Sequence, residues 1–264
     1  MPIAKLEKIS LYYEIQGKGY PLLLISGLNS DHASWAGVCA KLAKHFCVIA
    51  FDNRSSGRSD APKKRYSISE MADDATGLLD HLKIKRCHVI GHSMGGYIAQ
   101  ELAIYYPKRI GKLVLEATAS VSSARNNILF NDFLKRFKKD HDNEALMRSW
   151  TYWSFSPKTF ERKNFIEQFI KNASAYPYLQ SAEGFKSQID ALGSYNASAR
   201  IKNIKAKALL IIGTDDILIY PEESMKLAKG IKGSVSEEIK GAGHCLHVEK
   251  PEAFVSKVVQ FLMN

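Results

Sequence analysis

Two hydrophobic periods alternate along the chain. Short apolar runs such as PLLLIS (21–26), FCVIAFD (46–52), CHVIG (87–91), KLVLEA (112–117) and KALLIIG (207–213) have the length and aliphatic make-up of buried strands. Between them lie stretches with apolar residues at helical spacing: WAGVCAKLAKHF (35–46), SISEMADDATGLLDHL (67–82) and MGGYIAQELAIYY (94–106). Ser67 followed by Glu70 is a capping-box pattern that opens the second helix, and Pro107 stops the third. KLEKISLYYEIQG (5–17) reads as an opening hairpin. Alternation of this kind predicts an α/β fold: a mostly parallel central sheet covered by helices on both faces.

The pattern changes between residues 120 and 200. Strand-like runs stop, and NNILFNDFLKRFKK (126–139) and PKTFERKNFIEQFIKN (157–172) carry apolar residues at helical spacing. Strand–helix alternation resumes with KALLIIG, SVSEEIKGAG (234–243) and a terminal helix PEAFVSKVVQFL (251–262). The expected organisation is one α/β core, residues 1–119 and 201–264, interrupted by a helical insertion over 120–200.

Composition narrows the class. Hydrophobic residues at 45% and charged residues at 24% are globular values. No apolar run reaches the roughly 18 residues of a membrane span, and the N-terminus lacks the apolar core of a secretory signal. Cys39, Cys47, Cys87 and Cys245 are scattered, which suits reduced thiols and a cytoplasmic protein. The net charge of +10 favours acidic partners without naming one. No nucleotide loop or H-E-x-x-H motif is present, so neither a metal nor an organic cofactor is expected, nor a nucleic-acid or membrane partner.

The chemistry gathers around GHSMGG (91–96), where a serine stands on the turn between strand CHVIG and helix MGGYIAQELAIYY. A turn that sharp needs small residues two before and two after the serine, and Gly91 and Gly95 supply them. Ser93 is then lifted above the C-terminal end of its strand, where open α/β sheets place ligands. A serine hydroxyl needs a base to take its proton and a carboxylate to orient that base. Strand KALLIIG ends in T-D-D, offering Asp215 or Asp216, and SVSEEIKGAG leads into His244.

At this point the sequence resembles the α/β-hydrolase superfamily, in its cap-bearing, esterase-like branch with a Ser-Asp-His triad. "GHSMGG" resembles the nucleophile elbow, "FDNRSSGRSD" the arginine turn and "GAGHCLHVEKPEAF" the histidine loop. "GTDDILIYP" resembles a G-x-x-D acid loop, which selects Asp216. "SGLNSDHASW" resembles the loop that helps form the oxyanion hole, with Leu28 N–H as one donor and Met94 N–H as the other. Three positions depart from the pattern. Ser26 stands where a histidine is common, Ser55 replaces a glycine, and Pro221 comes one residue late.

The resemblance implies hydrolysis of a small carboxylic ester through an acyl-enzyme. Enol-lactones, thioesters and C–C bonds of diketones are alternative substrates, and a non-catalytic ligand receptor is an alternative of another class. His92, His247 and Cys245 are expected to pack rather than react, and Asp52 and Arg54 to hold a turn. The insertion carries 14 of the 27 aromatic residues, so Trp150 and Trp153 are expected to bind substrate over Ser93. A basic run, Lys135, Arg136, Lys138 and Lys139, leaves an acidic carrier protein as a further partner to consider.

Overall fold

A computed structural model describes residues 2–139 and 142–264. Residues 140 and 141, inside the predicted insertion, lie outside the described residues. Eight strands form one sheet: β1 (Ile3–Lys5), β2 (Ser10–Gln16), β3 (Pro21–Ile25), β4 (Cys47–Phe51), β5 (Cys87–His92), β6 (Ile110–Glu116), β7 (Lys207–Gly213) and β8 (Val235–Ile239). Their order is β1-β2-β4-β3-β5-β6-β7-β8. The β1–β2 and β2–β4 pairs are antiparallel, and every other pair is parallel. Parallel pairing puts the C-terminal ends of β3 to β8 along one edge, so the loops that follow them become neighbours.

The helices are α1 (Ala36–Leu42), α2 (Ile68–His81), α3 (Met94–Tyr105), α4 (Ala124–Lys139), α5 (Asn143–Ser154), α6 (Pro157–Phe160), α7 (Phe165–Ser174), α8 (Ala182–Gly193), α9 (Pro221–Gly230), α10 (Leu246–Glu249) and α11 (Pro251–Met263). Adjacent strand residues point to opposite faces, and both faces are apolar. Val89 packs with Leu78 and Ile98 of α2 and α3, while Ile90 packs on the other side with Val38 of α1 and Phe254 of α11. Helix α2 opens with the expected capping box: Glu70 N–H donates to Ser67 Oγ at 3.2 Å, and Ser67 N–H to Glu70 Oε2 at 2.9 Å. The Arg54 fork holds the same helix at Asp74, with Nε and Nη2 donating at 2.6 and 2.7 Å. Burial raises the Asp74 pKa, and the Arg54 bonds oppose that shift. Asp52 and Arg54 thus brace backbone and helix at the turn.

Helices α4 to α8 all fall between β6 and β7 and form the cap. One stretch behaves differently from its spacing. Residues 157–172 do not form one continuous helix, because Asn164 sits in the left-handed region at φ 60° and separates α6 from α7. The break lets α6 reach down to the histidine loop while α5 and α7 enclose a separate cluster of Leu146, Met147, Phe155, Ile166 and Ile170. Two other cap segments also bond to loops at the same sheet edge. Gln180 and Gln188 Nε2 donate to the carbonyls of Ser55 and Arg54, and Asn126 Nδ2 donates to Leu218 O.

Candidate active site

The link between β5 and α3 consists of Ser93 alone. Its backbone takes φ 54° and ψ −117°, a strained conformation for a side chain with a Cβ. Four bonds hold it there: Ser93 N–H to Glu116 O at 2.9 Å, and to Ser93 O from Thr118 Oγ1 at 2.9 Å, Gly96 N–H at 2.8 Å and Tyr97 N–H at 3.3 Å. The flanking glycines are required by contact. A Cβ on Gly91 would strike the backbone of Gly95, and one on Gly95 would strike the carbonyl of Ile25. The hydroxyl is thereby fixed above the sheet edge, and Ser93 stays partly open to solvent.

His244, from the loop after β8, and Asp216, from the loop after β7, converge on it. Ser93 Oγ lies 2.9 Å from His244 Nε2, and His244 Nδ1 lies 2.9 Å from Asp216 Oδ2. A carboxylate can only accept, so Nδ1 carries the proton and donates to Asp216. Nε2 is then left to accept from the serine hydroxyl. Asp216 Oδ1 accepts from the N–H groups of Leu218 and Ile219 at 2.8 and 2.9 Å, which fixes the carboxylate in turn. Asp215 faces elsewhere and accepts from the neighbouring Thr214 hydroxyl at 2.9 Å.

Two backbone N–H groups near the serine have no hydrogen-bond partner among the described residues. Met94 is the first residue of α3, where no intrahelical acceptor exists, and Leu28 N–H makes no hydrogen bond among the described residues. Both residues are almost fully buried. The loop carrying Leu28 packs on the elbow, because a Cβ on Gly27 would meet Ser93 Cβ at 3.1 Å. Ser26 anchors that loop. It donates to Asp31 O at 2.7 Å, accepts from Trp35 Nε1 at 2.9 Å, and its carbonyl receives Asn53 Nδ2 at 3.0 Å. A serine bonded through its hydroxyl to Asp31 and Trp35 and through its carbonyl to Asn53 thus supports the position where a histidine is common.

Two buried glutamates were not singled out from sequence. The carbonyl of Glu116, at the end of β6, holds Ser93, while its Oε1 accepts from His247 N–H at 3.0 Å and Nδ1 at 2.8 Å. One residue therefore ties the elbow to the histidine loop. Glu249 joins the same loop to the cap. Its Oε1 accepts from Gly243 N–H at 2.7 Å, and its Oε2 from Ser156 N–H, Ser156 Oγ and Thr159 Oγ1 at 2.6–3.0 Å. The available signal was the glutamate that ends an otherwise apolar strand, and a second one five residues after His244. Passive loop packing also understates His247, which is hydrogen-bonded to Glu116 and stacked on Trp35 at 4.4 Å.

The remaining candidates fall into place around this core. His92 lies between the two loop histidines, 4.9 Å from each ring, with its Nε2 3.0 Å from His244 O. Burial first, then those two rings, hold its pKa well below the usual imidazole value. Burial and nearby carboxylates push the Cys245 thiol well up, which keeps it protonated and unreactive. Two groups could offer three ligand atoms to a metal: His92–Glu116–His247 and Asp31–His32–Asp52. Both are engaged internally. Glu116 bonds His247, Asp52 Oδ1 takes the N–H and Nδ1 of His32, and Asp31 caps Ala33. Trp150 lines an apolar niche with Asn29, Phe133, Phe137, Leu146, Met147 and Phe185. Trp153 sits under the Arg125 guanidinium beside the acid loop, where Arg125 donates to Ile217 O.

Comparison with known proteins identifies the family. The family model described as alpha/beta hydrolase fold matches residues 20–251, and the chain belongs to that family. An enol-lactonase from Burkholderia xenovorans LB400 superposes with a TM-score of 0.90 at 30% identity, covering 100% of both chains. A hydrolase from Pseudomonas aeruginosa superposes with a TM-score of 0.88 at 26% identity, covering 99% of this chain and 97% of that one. A Caulobacter vibrioides protein provisionally named carbamate hydrolase RutD is 28% identical over 258 residues, 96% of this chain and 95% of its own. The chain is thus a hydrolase by family, with no helix long and apolar enough to cross a membrane among the described residues.

Proposed function

We propose that this α/β hydrolase cleaves small carboxylic esters through a covalent acyl-enzyme on Ser93. The observation that carries this reading is the unbroken chain Ser93 Oγ–His244 Nε2 and His244 Nδ1–Asp216 Oδ2, with 2.9 Å at both links. Ser93 Oγ attacks the ester carbonyl as His244 Nε2 takes its proton, and Asp216 stabilises the imidazolium. The carbonyl oxygen becomes an oxyanion facing the unpartnered N–H groups of Leu28 and Met94, each worth about 3 kcal/mol to the transition state. Collapse expels the alcohol, which leaves with the proton from His244. Water then attacks the acyl-enzyme with His244 as base, releasing the acid and restoring Ser93.

The same steps open an enol-lactone ring, where the leaving enolate stays tethered to the acyl group. The full-length likeness to an enol-lactonase supports this as the second reading. Carbamates, the class in the name of the Caulobacter relative, need the same attack on a less electrophilic carbonyl. The deciding experiment compares p-nitrophenyl esters of increasing acyl length with an enol-lactone and an aryl carbamate. It is run beside labelling of the protein with a fluorophosphonate. Turnover strongest on short esters, with the probe on Ser93 and absent from Ser93→Ala, is expected. Labelling of another serine, or no turnover in any class, would overturn the reading.

A further inference from the structure

The peptide units on both sides of His244 are tied to the cap. Gly243 N–H donates to Glu249 Oε1 at 2.7 Å, and Cys245 N–H donates at 3.0 Å to Ser154 O, at the end of α5. His244 O itself meets His92 Nε2, from β5, at 3.0 Å. Of these three bonds, one reaches the sheet, one reaches α5 directly, and one runs through Glu249 to the start of α6. The contact with the α5–α6 junction is close. A Cβ on Gly243 would lie 2.7 Å from Ser156 N and 2.8 Å from Phe155 C, so the residue before His244 has to be a glycine.

Glu249 is only 3% exposed, and its two oxygens divide the work. Oε1 accepts from the histidine loop at Gly243 N–H. Oε2 accepts from the cap: Ser156 N–H at 3.0 Å and the Ser156 and Thr159 hydroxyls at 2.6 Å each. A carboxylate has acceptor sites on both oxygens, so one side chain can serve loop and cap together. An amide of the same shape has one acceptor oxygen and turns an NH2 toward the other side, where a donor already stands. Burying a carboxyl group is costly without such bonds, and a side chain that merely filled this space would not need one.

We infer that Glu249 is a positioning residue for the hydrolysis, acting through His244 by setting the histidine loop against the α5–α6 junction of the cap. This rests on the ester-hydrolase reading and gives the cap a part in the chemical step. His244 has to hold 2.9 Å contacts at both ring nitrogens, to Ser93 Oγ and to Asp216 Oδ2. A displacement of about 1 Å at such a centre costs about a hundredfold in rate. A loop released from Glu249 keeps both ring partners but loses the backbone bond that fixes its distance from them.

The test compares the wild type with Glu249→Gln, Thr159→Val and Thr159→Ser. Three quantities are read: the rate of fluorophosphonate labelling at Ser93, kcat and KM on p-nitrophenyl acetate, and the low-field proton NMR signal of the His244 Nδ1–H bonded to Asp216. Glu249→Gln should slow labelling and lower kcat by about thirtyfold, leave KM within about twofold, and shift or remove the signal. Thr159→Val removes one donor to Oε2 from the cap side and should lower both rates about fivefold. Thr159→Ser keeps the hydroxyl and should recover most of that loss. If Glu249→Gln does not fold, Thr159→Val against Thr159→Ser decides alone. Wild-type rates and an unmoved signal in Thr159→Val and in folded Glu249→Gln overturn the inference, whatever happens to the melting temperature, and leave the serine mechanism standing. A loss in Glu249→Gln with Thr159→Val at the wild-type rate overturns the part played by the cap. A wild type that neither takes the label nor hydrolyses the ester brings down the ester-hydrolase reading itself.

Discussion

Two carboxylate–histidine pairs lie side by side at the sheet edge and differ in what their outer nitrogens meet. Asp216–His244 and Glu116–His247 have contact distances of 2.9 and 2.8 Å, and all four side chains are almost fully buried. The histidines come from one loop, three residues apart. His244 Nε2 reaches the Ser93 hydroxyl, whereas His247 Nε2 has no hydrogen-bond partner among the described residues and its ring lies under Trp35. Local chemistry is therefore nearly the same in both pairs. A serine hydroxyl at the far nitrogen suits the first pair to the relay proposed above, and an indole face suits the second to bracing.

The largest expected effects break the first pair. Ser93→Ala or His244→Ala should lower kcat on a chromogenic ester by up to about 10⁶, the scale seen when triad members are removed elsewhere. Asp216→Asn should lower it by about 10⁴, because the imidazole loses its orientation and tautomer. Asp215→Asn, whose side chain hydrogen-bonds the Thr214 hydroxyl and not His244, should change it by less than about threefold. Steady-state kinetics on the four variants checks the order, and equal losses at Asp215 and Asp216 would break the distinction drawn from geometry.

Glu116→Gln and His247→Ala should move stability instead. The first buries an amide NH2 where Oε2 has no partner among the described residues, and the second takes the imidazole donor from Glu116; each is worth about 2 kcal/mol, read as a lower midpoint in urea unfolding. Activity of the folded fraction should fall by no more than about tenfold, since neither group touches the serine hydroxyl. A loss comparable with Asp216→Asn, without loss of stability, would mean that the second pair takes part in the chemistry.

The cap offers a subtler contrast. Trp150 lines an apolar niche with residues of α4, α5 and α8, whereas Trp153 lies beneath Arg125 beside the acid loop. Trp150→Ala should therefore reshape the acyl-length profile, and Trp153→Ala should mainly lower the melting temperature. Equal shifts of the profile in both would place Trp153 in the binding surface too.

The smallest expected effect concerns His92, the imidazole between the two pairs. Its folded pKa lies well below its ordinary 6.5, so the unfolded chain binds a proton that the folded chain refuses. Its share of stability is complete above about pH 6.5 and is lost as pH falls. His92→Gln should flatten the decline of melting temperature between pH 7 and pH 5, and an unchanged slope would assign that decline to other groups.

The sequence by itself determined the sheet, the elbow and the order of the candidate chemical groups. Those features rest on short-range physics: apolar runs of strand length, a serine between glycines that a sharp turn requires, and helix caps such as Ser67–Glu70. It also narrowed the carboxylate to two adjacent residues. Other features depended on groups distant in the chain. The roles of Glu116 and Glu249 arise from contacts spanning 131 and 93 residues, to His247 and to Ser156. A glutamate at a strand end looks the same in sequence whether it faces solvent or closes a buried pair. Trp150 and Trp153 share a helix and a composition, and only the packing of α4, α5 and α8 against the strand-end loops separates them. Folding brings remote loops to one sheet edge and sets which polar atoms find partners there, and that pairing is what local sequence cannot encode.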